Sequence, residues 1–222
     1  MKTLILTTVL VAASAAADPL QDQVLAGMRR TDTANVALTA TTRIERTGAL
    51  AREIVTRYDP RGPAGKKWSV LRYDGRAPTA KEAADVAKAA NGGPLPAYAR
   101  LAKWFGAPAT RIAERPGSVT YRFARLPAGA LKIGNHDASA DTIAEAVVDT
   151  GGPMPFVRHI RLTSTKGFRM MLVAKVERYT FSSSYALLPD GRPIPTGQDV
   201  DLVGAMMGKG GNLSSRTRYE AR

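Results

Sequence analysis

An alternation of apolar and polar residues runs through most of the chain after residue 34 and predicts strands. Val36, Leu38 and Ala40 alternate with small or polar neighbours, and the same period of two recurs in many later segments. Turn sequences rich in Gly, Pro and Asp, such as Asp74-Gly75, separate these segments. The predicted strands span residues 34–46, 49–58, 66–73, 109–114, 118–126, 142–149, 156–164, 168–181, 183–188, 198–207 and 213–219.

A few segments have the spacing of helices instead. Apolar residues recur at helical intervals within residues 18–30, with acids early and arginines late. Thr79 and Glu82 form a capping-box pattern and predict a second helix, and a shorter helical stretch follows Pro96. Because strands do not alternate with helices, a parallel α/β fold is excluded. The pattern predicts a mainly β (α+β) domain, a large curved antiparallel sheet or open half-barrel with helices packed on its inner face.

The first 17 residues have the three parts of a cleavable signal peptide. Lys2 precedes a short apolar run, and the small residues Ala15 and Ala17 follow it at the positions that signal peptidase reads. The run is too short for a membrane anchor, which needs about 20 residues, and a short buried helix is the alternative interpretation. We therefore expect cleavage after Ala17, a periplasmic location, and a single domain over residues 18–222.

The charge and the absence of cysteine narrow the classes of partner and chemistry. The chain has 32 Lys and Arg against 19 Asp and Glu, a net charge of +13, and no Cys. Such a charge favours an anionic partner, although a merely solvated surface is the alternative. Export argues against nucleic acid, and no later apolar stretch is long enough to span a membrane. Without cysteine, disulfides, thiol catalysis and thiolate metal sites are all excluded.

Residues for catalysis or metal binding are scarce, whereas apolar side chains for a ligand are abundant. His136 and His159 are the two histidines, and neither has metal-ligand spacing around it. The serines at 182–184 lack a nucleophile elbow. We therefore predict a protein without catalytic residues, cofactor or metal. The predicted ligand-binding residues are Trp68, Tyr121, Phe123, Met170 and Leu172.

The order of these elements resembles that of a known envelope family. The predicted order is a leading helix, a strand meander, a helical insertion and further strands. Two segments add to this order, Trp68–Thr79 (WSVLRYDGRAPT) and the late Pro189–Pro195 (PDGRPIP). Together they are similar to the periplasmic lipoprotein-carrier (LolA-like) superfamily. The resemblance implies that acyl chains or a lipidated protein sit between the sheet and the helices, and that a lipid, a lipoprotein or an anionic membrane surface is the partner.

Three functional hypotheses follow. The leading one is a non-catalytic periplasmic protein that binds an amphiphile in a hydrophobic half-barrel hollow. The second is an envelope protein-interaction or sensing module, which an exposed sheet edge or apolar patch would favour. The third is an envelope hydrolase that uses His136 with a carboxylate such as Asp137, and it requires a cleft that gathers both with a nucleophile.

Overall fold

The computed structural model describes residues 18–31, 35–92, 97–170, 174–206 and 208–222, and of residues 91, 92 and 206 it describes the backbone only. The predicted signal peptide at residues 1–17 and the predicted ligand residue Leu172 lie outside the described residues. The helices are α1 (Pro19–Arg30), α2 (Ala80–Gly92) and α3 (Ala102–Phe105), with 3₁₀ turns at Tyr98–Leu101 and Ser139–Asp141. The strands are β1 (Leu38–Arg46), β2 (Arg52–Tyr58), β3 (Trp68–Tyr73), β4 (Thr110–Arg115), β5 (Ser118–Phe123), β6 (Lys132–Ile133), β7 (His136–Asp137), β8 (Thr142–Asp149), β9 (Phe156–Ser164), β10 (Phe168–Met170), β11 (Ala174–Leu187), β12 (Pro193–Met206) and β13 (Lys209–Ala221).

One large antiparallel sheet organises the molecule. Its strands follow the order β3-β2-β1-β13-β12-β11-β9-β8-β5-β4, and β10 adds an eleventh strand by pairing with β11. Since β3 and β4 are the two ends of this path and do not pair with each other, the sheet is not closed into a barrel. The prediction of a mainly β fold with a large, open antiparallel sheet is therefore confirmed.

Helices α1 and α3 cover one side of the sheet over β5, β8 and β9, and we call this side of the whole sheet the helix face. Val24 and Met28 of α1 and Phe105 of α3 are buried there against strand side chains such as Ile160. The amide of Gln21 ties the two helices together by donating hydrogen bonds to the carbonyl oxygens of residues 105 and 107, at 2.7 and 2.8 Å. The largest hydrophobic core therefore lies beneath these helices.

The capping box predicted for α2 is confirmed. The backbone N–H of Thr79 donates to Oε2 of Glu82 at 2.9 Å, and the N–H of Glu82 donates to Oγ1 of Thr79 at 3.3 Å. These bonds satisfy donors that the first turn of a helix leaves free. Helix α2 contacts β3 and half-buries Ala83 and Val86, whereas Ala84, predicted on the same face, is exposed.

Three predicted boundaries are wrong. Residues 168–181 do not form one strand, because Phe168 and Met170 pair antiparallel with Val176 and Ala174. A reversal of direction leaves the alternation of apolar residues intact, so the pattern could not reveal it. Strand β11 then continues without a break through the predicted gap at residue 182. The stretch before β8, predicted to be loose, contains the hairpin of β6 and β7.

The described helices include none that is both long and apolar enough to cross a membrane.

Candidate functional site

A row of side chains on the helix face crosses seven strands. Each residue of the row is the register partner of the next, so all of them point to the same side of the sheet. At one end, beneath α1 and α3, Phe123 and Ala144 are 0% exposed and Leu162 is 1% exposed. At the other end the side chains are only half-buried. The row consists of Phe123, Ala144, Leu162, Phe181, Val200, Ser215 and Ile44.

The half-buried end of this row continues into a second pair of apolar residues. Leu202 of β12 is the register partner of Leu213 of β13, and both lie on the helix face next to the row. All of these side chains are half-buried, and Phe181 also packs against the core under the helices. They form a band of apolar surface that the helices leave partly accessible to water. We define the open apolar strip as Ile44, Phe181, Val200, Leu202 and Leu213.

The four predicted ligand residues that the structure describes lie in three separate places. Tyr121 and Phe123 are fully buried beneath α3, where both rings contact Phe105 at centroid distances of 5.6 and 5.3 Å. A ligand can reach these two side chains only if α3 moves away. Trp68 is half-buried on the edge strand β3, with its ring 5.2 Å from that of Tyr58.

Met170, the fourth of these predicted ligand residues, lies in a third place. It is half-buried on β10 and packs against a small hydrophobic cluster that contains Phe168 and Tyr179. The structure therefore does not gather Trp68, Tyr121, Phe123 and Met170 into one site. The strip residues Val200, Leu202 and Leu213 were missed, although alternation within the predicted strand 198–207 placed Val200 and Leu202 on a common face; only the register with β13 brings Leu213 to it.

An electrostatic cluster fastens the start of α1 onto the sheet. Asp18 accepts from Nε and Nη2 of Arg111 at 2.7 and 2.8 Å and from the hydroxyl of Tyr121 at 2.9 Å. The bond from Arg111 holds the pKa of the Asp18 carboxyl well below its usual range, with Tyr121 and the backbone of Gln21 acting in the same direction against burial. Burial, and then the hydrogen bond to Asp18, raise the pKa of Tyr121 to about 12.

His136 is not paired with its neighbour Asp137. Its ring stacks on Phe168 at a centroid distance of 3.9 Å, and its buried Nε2 has no hydrogen-bond partner among the described residues. Asp137 instead accepts from Oγ of Ser139 at 2.6 Å and from the N–H of Gly129 at 2.8 Å. The cleft that the hydrolase hypothesis requires around His136 is therefore not found in the described part of the chain.

The other histidine lies on the opposite side of the sheet. Nδ1 of His159 is 3.1 Å from Oγ of Ser184 on the neighbouring strand. Burial lowers the pKa of His159, and the charges of Arg161 and Arg158 lower it further. Within the described ranges no carboxylate comes within 4.0 Å of this ring, and no group of three or more His, Cys, Asp or Glu could hold a metal ion.

The fold and these sites were compared with known proteins. No protein-family model, no curated protein and no solved structure gives a significant match to this chain.

Proposed function

We propose that this protein is a non-catalytic, LolA-like periplasmic protein that binds an amphiphile, either a lipid or a lipidated protein, through the open apolar strip. The observation that carries the proposal is that the apolar part of the row, from Phe123 through Leu162, continues beyond the helices to Phe181 and Val200. The same apolar surface that holds α1 and α3 extends beyond them as half-buried side chains. An acyl chain lying on Val200 and Leu213 would extend the contact that the helices make with the rest of the row.

The size of the strip is compatible with useful affinity. Removing one methylene of an acyl chain from water contributes about 0.8 kcal/mol. About eight methylenes against the strip would contribute about 6 kcal/mol, which corresponds to a dissociation constant of tens of micromolar. The net positive charge of +13 adds long-range attraction toward anionic amphiphiles.

The test compares two valines on one strand. Val200 and Val203 are both half-buried on β12, but Val200 lies on the helix face and Val203 on the opposite face. We expect Val200→Asn to weaken binding of a fluorescent fatty acid about tenfold, because the acyl chain would desolvate the new amide. Val203→Asn should bind as the unchanged protein does.

Native mass spectrometry of the protein purified from the periplasm, with solvent extraction, would identify the natural ligand. A stoichiometric lipid or acylated peptide supports the proposal. The proposal fails if the protein neither carries nor takes up an amphiphile, or if both valine variants lose affinity equally.

A second function, that of an envelope protein-interaction module, is favoured by strand β4. All six of its residues are exposed, and Ile112 is 42% exposed at an outer edge of the sheet. An unpaired strand edge offers backbone groups to an incoming strand of a partner. A photo-cross-linking residue at position 112 should capture one defined protein in cells, whereas the same residue at Arg43, on the face away from the helices, should not. Equal capture at both positions would refute this alternative.

A further inference from the structure

Two adjoining depressions at one end of the sheet are lined by arginines. This is the end at which β2 and β13 finish and β12 begins. One depression has a volume of about 440 Å³ and the other of about 500 Å³, and both are lined by Asn35 and Arg192. We define the arginine rim as the arginines that line them, Arg30, Arg57, Arg61, Arg192 and Arg222.

Most of the charge of the arginine rim is not neutralised by nearby acids. Asp190 is paired with Arg192 at 2.7 Å. Asp59, the other aspartate in the lining, accepts from the backbone N–H of Arg61 at 2.9 Å. Among the described residues, no carboxylate lies within 4.0 Å of the guanidinium groups of Arg57 and Arg61, and both side chains are exposed. These two groups therefore keep their donors available for an anion.

Apolar residues line one of these depressions together with the arginines. Val36, Tyr58 and Leu188 line the depression of about 440 Å³ together with Arg57 and Arg61. Val36 and Tyr58 belong to a small hydrophobic cluster, against which the half-buried Trp68 packs. Since Arg57 and Tyr58 are consecutive residues of β2, their side chains point to opposite faces of the sheet, and the Arg57 guanidinium group flanks the apolar lining instead of covering it. That combination matches a molecule with an anionic head and an apolar body.

We propose that the arginine rim binds the phosphate of an anionic phospholipid head group, with Arg57 and Arg61 as its principal donors. This inference rests on the proposed amphiphile binding and names the class of ligand. A guanidinium group presents paired N–H donors that match two oxygens of one phosphate, so several arginines around one depression favour phosphate strongly. The half-buried Leu188 in the lining would contact the acyl-glycerol part next to the phosphate.

The experiment uses two short-chain lipids with identical acyl chains. Dihexanoyl phosphatidylglycerol carries one phosphate, whereas dihexanoylglycerol has the same acyl chains and no phosphate. Isothermal titration should show tighter binding of the phosphatidylglycerol. The double variant Arg57→Gln/Arg61→Gln should lose about 25-fold in affinity for phosphatidylglycerol, about fivefold for each arginine, and little for dihexanoylglycerol. The control Arg125→Gln/Arg169→Gln makes the same change of charge at two exposed arginines outside the rim and should lose less than about threefold.

The outcomes separate this inference from the proposed function. Equal binding of both lipids by the unchanged protein would overturn the arginine rim as a phosphate site while leaving acyl binding in place. Binding of neither lipid would overturn the proposed function itself. Competition by inorganic phosphate at the same concentration as the phosphatidylglycerol would show a site for free phosphate and overturn the assignment to a lipid. Equal losses in the two double variants would show that net charge alone attracts the lipid, which also overturns it.

Discussion

Replacing Asp18 with alanine should destabilise the fold by about 3 kcal/mol. Oδ1 of Asp18 caps α1 by accepting from the N–H of Leu20 at 3.0 Å, and loss of such a cap costs about 1 kcal/mol. The hydroxyl of the fully buried Tyr121 loses its acceptor, which costs about 1 to 2 kcal/mol. The ion pair with Arg111, whose side chain is 38% exposed, contributes at most about 1 kcal/mol.

Thermal unfolding followed by circular dichroism measures this loss. For a domain of this size, about 3 kcal/mol corresponds to a melting temperature lower by about 6 to 12 °C. Asp22→Ala is the matched control, because Asp22 is an exposed acid in the first turn of the same helix. Asp18→Asn, which can still cap the helix, should lie between the two. The account of this cluster is refuted if Asp18→Ala melts within about 1 °C of the unchanged protein, or no lower than the Asp22 variant.

The effect of Asp18→Ala should also depend on pH with a defined sign. The pKa of Asp18 is lowered by folding, so the folded protein favours the ionised carboxylate. The stability that Asp18 contributes is therefore complete above its unfolded pKa of about 3.8 and is lost as the pH falls below that value. The difference in melting temperature between the two proteins should stay constant from about pH 7 to pH 5 and shrink below about pH 4.

Two further predictions concern the sheet. Gly204→Ala should destabilise the protein by about 1 to 3 kcal/mol in urea denaturation, because a Cβ at this position would lie 2.2 Å from the backbone oxygen of Lys175. Gly210→Ala is the control and should leave the stability unchanged, because its Cβ would meet no atom within 4 Å among the described residues. Equal losses of stability in the two variants would refute the argument. The pKa of His159 is lowered by burial and by Arg161, so protonation opposes folding and stability should fall as the pH drops below about 6.5. A ¹H–¹⁵N titration should place this pKa below about 6.5, and His159→Gln should reduce the pH dependence; a pKa above that value would contradict the prediction.

The elements that the sequence predicted best are those whose signals are local. Residues 142–149 and 156–164 form β8 and β9 with the predicted bounds, since turn sequences such as Gly151-Gly152-Pro153 and Lys166-Gly167 end the two apolar segments. The capping box of Thr79 is equally local, because all of its atoms lie within four residues. Such signals need no knowledge of which strand pairs with which.

The order of the strands and the position of the site depend on contacts between distant parts of the chain. Leu38 of β1 pairs with Ala221 of β13, almost the whole length of the chain away, and no local pattern selects that partner. Tyr121 and Phe123 were predicted as ligand residues because they are aromatic and share a strand face. The same features suit a residue beneath a helix, and only the placement of α3 decides between the two.

The chemistry of the helix face explains why the helices cover only part of it. Beneath α1 and α3 the strands present Tyr121, Ala146 and Ile160 in a row that is fully buried. Across β1 and β13 the same row continues as Thr42 and Thr217, whose hydroxyl oxygens are 3.0 Å apart. Covering these hydroxyl groups with an apolar helix would add little stability to the fold. They offer little apolar area to bury, and their mutual hydrogen bond is already formed without the helix. This part of the sheet therefore alternates a mainly apolar row with a polar one, and its half-buried apolar side chains remain next to hydroxyl groups that satisfy each other's hydrogen bonds.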